Sequence, residues 1–195
     1  MSRSALRVAI LADTHGFLDA RVAEQVAGCQ IAVHAGDIGG ADILLALQPA
    51  ESVTAIRGNN DDADHWSETE LDVLEKLPRD TEVALPGGKL KVIHGDDWGT
   101  VEQRHKRYRT RFSDYRGIVY GHTHRQLVDT SGSPWLLNPG AAGRTRTYEG
   151  PGCLILTCQG EDWQIEPLRF PPRQYRAKRR RNGAAKQEGP GQADD

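Results

Sequence analysis

Two histidines one residue apart, His122 and His124, lie in the stretch Gly121-His122-Thr123-His124, directly after the apolar run Gly117-Ile118-Val119-Tyr120. On a loop leaving a buried strand, such a pair points two imidazoles at neighbouring positions of one cleft, which suits a pair of metal ions. Other acid, amide and imidazole groups recur upstream, each just past an apolar strand-like run: Asp13 and His15, Asp37, Asn59, and His94. Taken singly, each is a turn former or a satisfied polar group. Taken together, seven candidate ligands at five strand ends point to one site at the carboxyl ends of strands, where open α/β sheets bind ligands.

The elements that must carry these residues follow from periodicity. Arg7 to Ala12 is a continuous β-favouring run, the pattern of a strand covered on both faces. Residues 17 to 28, with Leu18, Val22, Val26 and Ala27 at helical spacing and Gly28 as a stop, predict an amphipathic helix back along the sheet. Ile31 to Ala35 is then a second strand, parallel to the first by the usual right-handed crossover. A short helix from Asp42 to Leu47 leads to a third strand, Ser52 to Arg57, which delivers Asn59 past Gly58. The acidic run from Asp61 to Glu75 predicts a solvated helix with Leu71, Leu74 and Trp66 on its inner face.

From Thr81 the period changes to two. Runs 81–85 and 89–93 around Pro86-Gly87-Gly88 predict a hairpin whose second arm ends at His94. Residues 100 to 112 predict a strongly basic helix, either an ordinary solvated one or a rim that attracts an anionic substrate. The short runs 126–130, 135–137, 152–157 and 163–168 read as an antiparallel meander, with Asn138-Pro139-Gly140 as a tight turn.

Length and composition bound the rest. A chain of 195 residues with 37% hydrophobic content buries one sizeable core, so we expect a domain over residues 1–170 and a basic, disordered tail over 171–195. The net charge of -2 conceals a split: 17 Lys+Arg against 24 Asp+Glu in residues 1–168, and 8 against 3 thereafter. An acidic body argues against a broad nucleic-acid groove across the fold, while the tail, with its run Arg176 to Arg181, leaves weak nucleic-acid contact or a nuclease open. Cys29, Cys153 and Cys158 form no Cys-x-x-Cys pair, and the last two bracket an apolar strand, which suits a reducing cytoplasm. No run approaches the roughly 20 apolar residues needed to cross a bilayer, and no signal peptide is visible, so a soluble cytoplasmic protein is expected. Assembly into a homo-oligomer is left open.

In order, Asp13-x-His15, Gly36-Asp37, Gly58-Asn59, His94-Gly95 and Gly121-His122-x-His124 resemble the motifs of the calcineurin-like metallophosphoesterases, especially the small prokaryotic phosphodiesterases that share a fold with the retromer scaffold subunit. The resemblance covers residues 7 to about 168. It implies a four-layer α/β sandwich of two facing mixed β-sheets flanked by helices. It also implies that Asp13, His15 and His124 hold one divalent metal and Asn59, His94 and His122 a second, with Asp37 bridging both. Mixed carboxylate, amide and imidazole donors suit manganese first, with iron, zinc or nickel as alternatives. The implied chemistry is in-line attack on a small phosphodiester by a metal-bridging hydroxide, with phosphomonoesterase or nucleotide hydrolase as the enzymatic alternative and a metal-binding protein scaffold as the non-enzymatic one.

One position departs from the family. Many members follow the metal-binding Asn with a His that protonates the leaving group, whereas this chain has Asn60, counted here as a catalytic candidate beside Asp37. An amide is no general acid at neutral pH, so poor leaving groups should react slowly. Asp61, which steadies that His in relatives, has no evident client. His34 is expected as a packed or supporting residue, and His65 and His105 as surface residues. His65 is the first alternative acid.

Overall fold

In a computed structural model of the chain, residues 5–172 are described, and they form two five-stranded mixed sheets packed face to face with helices outside. The expected tail lies, from residue 173 on, outside the described residues. The first sheet has the order β10-β9-β1-β2-β3, built from Leu6–Leu11 (β1), Ile31–His34 (β2), Ser52–Ala55 (β3), Gly152–Gln159 (β9) and Asp162–Arg169 (β10). The second has the order β4-β5-β6-β8-β7, from Asp80–Leu85 (β4), Gly88–Ile93 (β5), Gly117–Val119 (β6), Leu127–Asp129 (β7) and Trp135–Asn138 (β8).

Alternation along the strands sorts side chains between layers. Val8, Ile10 and Ala12 of the β1 segment face inward with Val33, Leu154 and Leu156, and meet Leu90, Val92, Val119 and Leu137 of the opposite sheet. Ala9 and Leu11 face outward and pack, with Ala32 and Ile155, against Val22 and Val26 of α1 (Ala20–Ala27). On the far side, Ile93, Ile118 and Leu136 receive Tyr108 of α4 (Val101–Arg111). A fourth cluster joins Ile43 of α2 (Ala41–Ala46) to Leu74 of α3 (Leu71–Lys76), Ile38 and Trp66. Each such aliphatic side chain contributes about 1.5–3 kcal/mol when fully buried. This is the expected four-layer α/β sandwich.

Local chemistry sets the helix ends. Asp19 caps α1 by accepting from Arg21 N at 2.9 Å, and Gly28 closes it. Thr100 and Gln103 form a capping box at the start of α4. The acidic stretch is helical over less than expected, a short 3-10 turn at Glu68–Glu70 followed by α3. Its first residues are instead drawn into the cleft loop by Asp61 and Trp66. The meander expectation fails in topology. β7 pairs antiparallel with β8 in one sheet and β9 with β10 in the other, because β8 joins β6 in parallel and β9 joins β1 antiparallel. Pairing partners across the chain, invisible to local period, decide this. The hairpin expected at 86–88 forms with Gly87 at φ 81, and Gly88 already pairs with Leu85. All three cysteines are buried thiols. Among the described residues no helix is long and apolar enough to cross a membrane.

Parallel pairing positions the site. β1, β2 and β3 run parallel in one sheet, and β5, β6 and β8 run parallel in the other. Their carboxyl ends therefore open on one edge of the sandwich, where both sheets contribute loops to a single cleft.

Candidate metal centre

All seven sequence-selected residues meet in this cleft. One ligand atom from each of Asp13, His15, Asp37 and His124 lies within 4.8 Å of the others, and the same holds for Asp37, His94 and His122. Asp37 belongs to both groups. Asn59 completes the second, with its Oδ1 at 3.0 Å from both His94 Nε2 and His122 Nδ1.

The backbone is bent to achieve this. Among the described residues, six other than glycine have positive φ: Asp13 (55°), His15 (47°), Asp37 (55°), His122 (63°), His124 (58°) and Arg146 (50°). Five are candidate ligands. Left-handed backbone costs a β-carbon-bearing residue roughly 1–2 kcal/mol, so the surrounding loops must hold these conformations in place. They do so by lacing together: Asp13 N donates to Gly36 O at 3.0 Å, His15 N to Asp37 O at 3.0 Å, and Gly121 N to His94 O at 2.9 Å. His122 N donates to Asp13 Oδ1 at 3.1 Å, tying the two sheets' loops to each other. Gly58 is required by space, since a β-carbon there would lie 2.2 Å from Asp37 Oδ1.

Hydrogen bonds select which imidazole nitrogen faces the cleft. His94 Nδ1–H donates to Ala35 O at 2.9 Å and His124 Nδ1–H to Thr145 O at 3.0 Å, so each presents Nε2 inward. His124 Nε2 lies 3.1 Å from His15 Nε2 and 3.7 Å from Asp13 Oδ1. Burial, helped by the Arg146 cation, pushes His124 down to about 4, and burial also lowers His15, so both rings are neutral at neutral pH. Burial raises Asp13 to about 7, and its Oδ2 is buried with no hydrogen-bond partner. Asp37 and His94 titrate against each other. Burial disfavours the charge on each, but their hydrogen bond and mutual attraction outweigh it, holding Asp37 well below the usual carboxylate range and lifting His94 to about 9.

An orphaned buried carboxylate oxygen, imidazole nitrogens turned into one cleft and a carboxylate shared by two groups make a donor set that fits divalent cations. One group offers Asp13, His15, Asp37 and His124. The other offers Asp37, Asn59, His94 and His122.

Four supporting residues were missed or misjudged in the sequence. Asp61, expected to lack a client, is buried and accepts from the backbone amides of Ile38, Gly39 and Gly58 and from Trp66 Nε1, all at 2.8–3.0 Å. It fastens the Asp37 loop to the Asn59 loop. Asn138, read as a turn former, donates to Gly121 O at 2.9 Å and Thr123 Oγ1 at 3.1 Å, pinning the His122–His124 loop. Arg146, not singled out, places Nη2 3.0 Å from His124 Nε2. His105, expected on the surface, is half-buried with Nε2 2.8 Å from the Tyr120 hydroxyl. His34 supports the site as expected: Gly36 N donates to its Nδ1, so Nε2–H donates to Thr14 Oγ1 at 2.9 Å, whose own proton goes to Ile38 O. His65 is exposed and bonded to Asp62.

Asn60 is spent on Asp37. Its backbone N–H donates to Asp37 Oδ1 at 2.9 Å and its side-chain Nδ2 to Asp37 Oδ2 at 2.7 Å.

Fold and cleft together define a two-sheet α/β sandwich with a metal-binding-type donor set at the strand ends. The sequence description of the calcineurin-like phosphoesterase superfamily domain matches residues 6–161, and the chain belongs to that superfamily. A probable metallophosphoesterase of Methanothermobacter thermautotrophicus is 25% identical over 167 residues, covering 83% of this chain and 91% of the relative. A second, from Methanocaldococcus jannaschii, is 29% identical over 143 residues, covering 69% and 67%. Among solved structures, an archaeal phosphodiesterase superposes with a TM-score of 0.63 at 21% identity over 84% of this chain and all of its own. Zinc-complexed Vps29 of Entamoeba histolytica superposes with 0.60 at 19% identity over 84% and 99%. At such identities the structural likeness speaks for the fold.

Proposed function

We propose that this metallophosphoesterase is a phosphodiesterase that works with two divalent cations, manganese first among them. What carries the reading is Asp37, a single carboxylate common to two otherwise separate donor groups. In this reading Asp13, His15 and His124 hold one cation, Asn59, His94 and His122 the other, and Asp37 lies between. Two such ions supply an activated water and electrostatic stabilisation of the phosphoryl oxygens.

The chain's own residues do the rest. Asp37 stays ionised at any working pH and offsets the repulsion between two closely spaced cations. The two Asn60 donors fix both oxygens of that carboxylate, so its orientation does not drift during turnover. His34 and Thr14 hold the loop behind Asp37 through buried hydrogen bonds. Of the three imidazoles outside the ligand set, His34 is buried and bonded to Thr14, His105 is bonded to Tyr120, and His65 is exposed and bonded to Asp62, so none belongs to the ligand cluster. A diester with an alcohol that departs readily as an anion is therefore the favoured substrate.

Elemental analysis of the purified protein, together with turnover of bis(p-nitrophenyl) phosphate and p-nitrophenyl phosphate under manganese, iron, zinc and nickel, tests this. The expected outcome is two ions per chain and preference for the diester, with both lost in Asp37→Ala. Preference for the monoester would replace the reading by a phosphomonoesterase. Two ions without turnover of either ester would replace it by a metal-binding scaffold.

A further inference from the structure

The basic helix α4 has an outward face that the phosphoesterase site does not use. Lys106, Arg107 and Arg111 line an open groove of about 560 Å³ together with Trp98, Gln103 and Thr110, and no carboxylate borders it. Among the described residues the helix makes one ion pair, Arg109 to Asp129 at 2.7 Å, so the cations of this groove are not neutralised. The rest of the body is acidic, which makes the local excess of positive charge a specific feature rather than a general one.

Trp98 adds a second observation. Its side chain is 82% exposed, in the loop that leaves the candidate ligand His94 and enters α4. An indole this exposed presents an aromatic face on which a planar group can stack. The loop is held rather than loose: Arg107 lies over the indole at 5.0 Å and donates to Trp98 O, and Arg104 donates to Asp97 O. Gly99, at φ 104, gives the close return to the helix, since a β-carbon there would meet Gln103 Oε1 at 2.9 Å. One indole face is thus backed by a guanidinium while the ring remains open to solvent.

We propose that Trp98 and the Lys106–Arg107–Arg111 face of α4 form a binding site for single-stranded nucleic acid, in which a base stacks on the indole and the backbone phosphates follow the cations along the helix. Aromatic platform and cationic track are the two components by which proteins hold single strands without reading sequence. A duplex fits poorly, because its bases are already stacked on one another. The platform sits on the loop that follows His94 in the chain, and a strand bound there would be offered to the cleft as a phosphodiester substrate. That last step rests on the phosphodiesterase reading, whereas the binding site itself does not.

The test uses the full chain in EDTA, so that binding is measured without turnover. A labelled twelve-nucleotide oligothymidylate is titrated by fluorescence anisotropy at several salt concentrations. We expect binding that weakens with salt, and quenching of the exposed Trp98 emission. Trp98→Ala should weaken binding by about tenfold or more, and Trp98→Phe should restore most of it. Removing two phosphate contacts by Lys106→Gln with Arg111→Gln, which leaves Arg107 on the indole, should lower the slope of log affinity against log salt by about 1.4, at roughly 0.7 per contact. Equal binding by wild type and these variants would place any affinity elsewhere, and absence of binding at low salt, or equal affinity for a duplex, would also overturn the proposal. Turnover of bis(p-nitrophenyl) phosphate by Trp98→Ala, expected to match wild type, is the separate control. If that ester is not cleaved while Trp98-dependent binding persists, the phosphodiesterase reading falls and the nucleic-acid site stands.

Discussion

At the scale of single residues, Asn60 shows how one substitution redistributes work within a site. A carboxamide cannot deliver a proton, yet here it secures both oxygens of Asp37 jointly with its own backbone N–H. Its removal therefore acts on the carboxylate. Asn60→Ala should weaken cation loading and turnover by roughly tenfold, the scale of one hydrogen bond to a charged group, measured by metal titration and by initial rates on the same samples. Unchanged loading would show that Asp37 is held without it. The leaving group carries the other consequence. Wild-type rates on a series of aryl and alkyl phosphodiesters should fall steeply as the pKa of the departing alcohol rises. Asn60→His should flatten that dependence by returning an acid to the cleft. Equal rates for aryl and alkyl esters in the wild type would mean that another acid is already in place, and His65 is then the residue to test.

At the scale of elements, the cleft depends on loops that are individually strained and jointly braced. Five candidate ligands sit on left-handed backbone, and the Asp37 and Asn59 loops are joined through one buried carboxylate, Asp61. Asp61→Asn keeps the volume but turns one acceptor into a donor facing amide N–H groups. Leaving such buried donors unpaired costs on the order of 2 kcal/mol, which for a domain of this size lowers Tm by about 4–8 °C. Calorimetry of the metal-free protein isolates this from any loss of bound ions. A shift within about 1 °C would mean that the loops are braced by the neighbouring strands alone.

At the scale of the whole molecule, two sheets that meet at one edge create an electrostatic site with a definite pH response. In the metal-free protein His94, at about 9, holds a proton through the neutral range, and Asp13, at about 7, holds one in acid. Each proton competes with a cation for the same atoms, so lowering the pH weakens metal binding. Between about pH 7 and 9 the His94 proton must leave, and affinity should fall close to tenfold per pH unit; below about 7 the Asp13 proton must leave as well, and the fall should steepen. Calorimetric titration with Mn²⁺ at a series of pH values, in buffers of differing ionisation heat, counts the protons released. Affinity independent of pH from 6 to 9 would show that these two groups do not hold the ion.

The sequence by itself determined which residues meet and at which ends of which strands. Polar ligands after apolar runs leave few other places for them, and parallel strand–helix–strand units put the carboxyl ends of β1, β2 and β3 on one side. The motif order carried the superfamily as well. What it could not determine is how distant segments pair. The four C-terminal runs have the same local period whether they form one meander or two hairpins, and only competition for β1 and β6 as partners divides them between sheets. Nor does a local pattern reveal what a buried polar group will accept from. Asp61 looked idle because two of its four clients, Ile38 and Gly39, lie 23 and 22 residues away on another loop, and Arg146 was one arginine among many until the fold set its guanidinium against His124. Backbone strain at the ligands is likewise a tertiary decision, since left-handed φ at Asp and His is tolerated only where the surrounding hydrogen bonds leave no cheaper alternative.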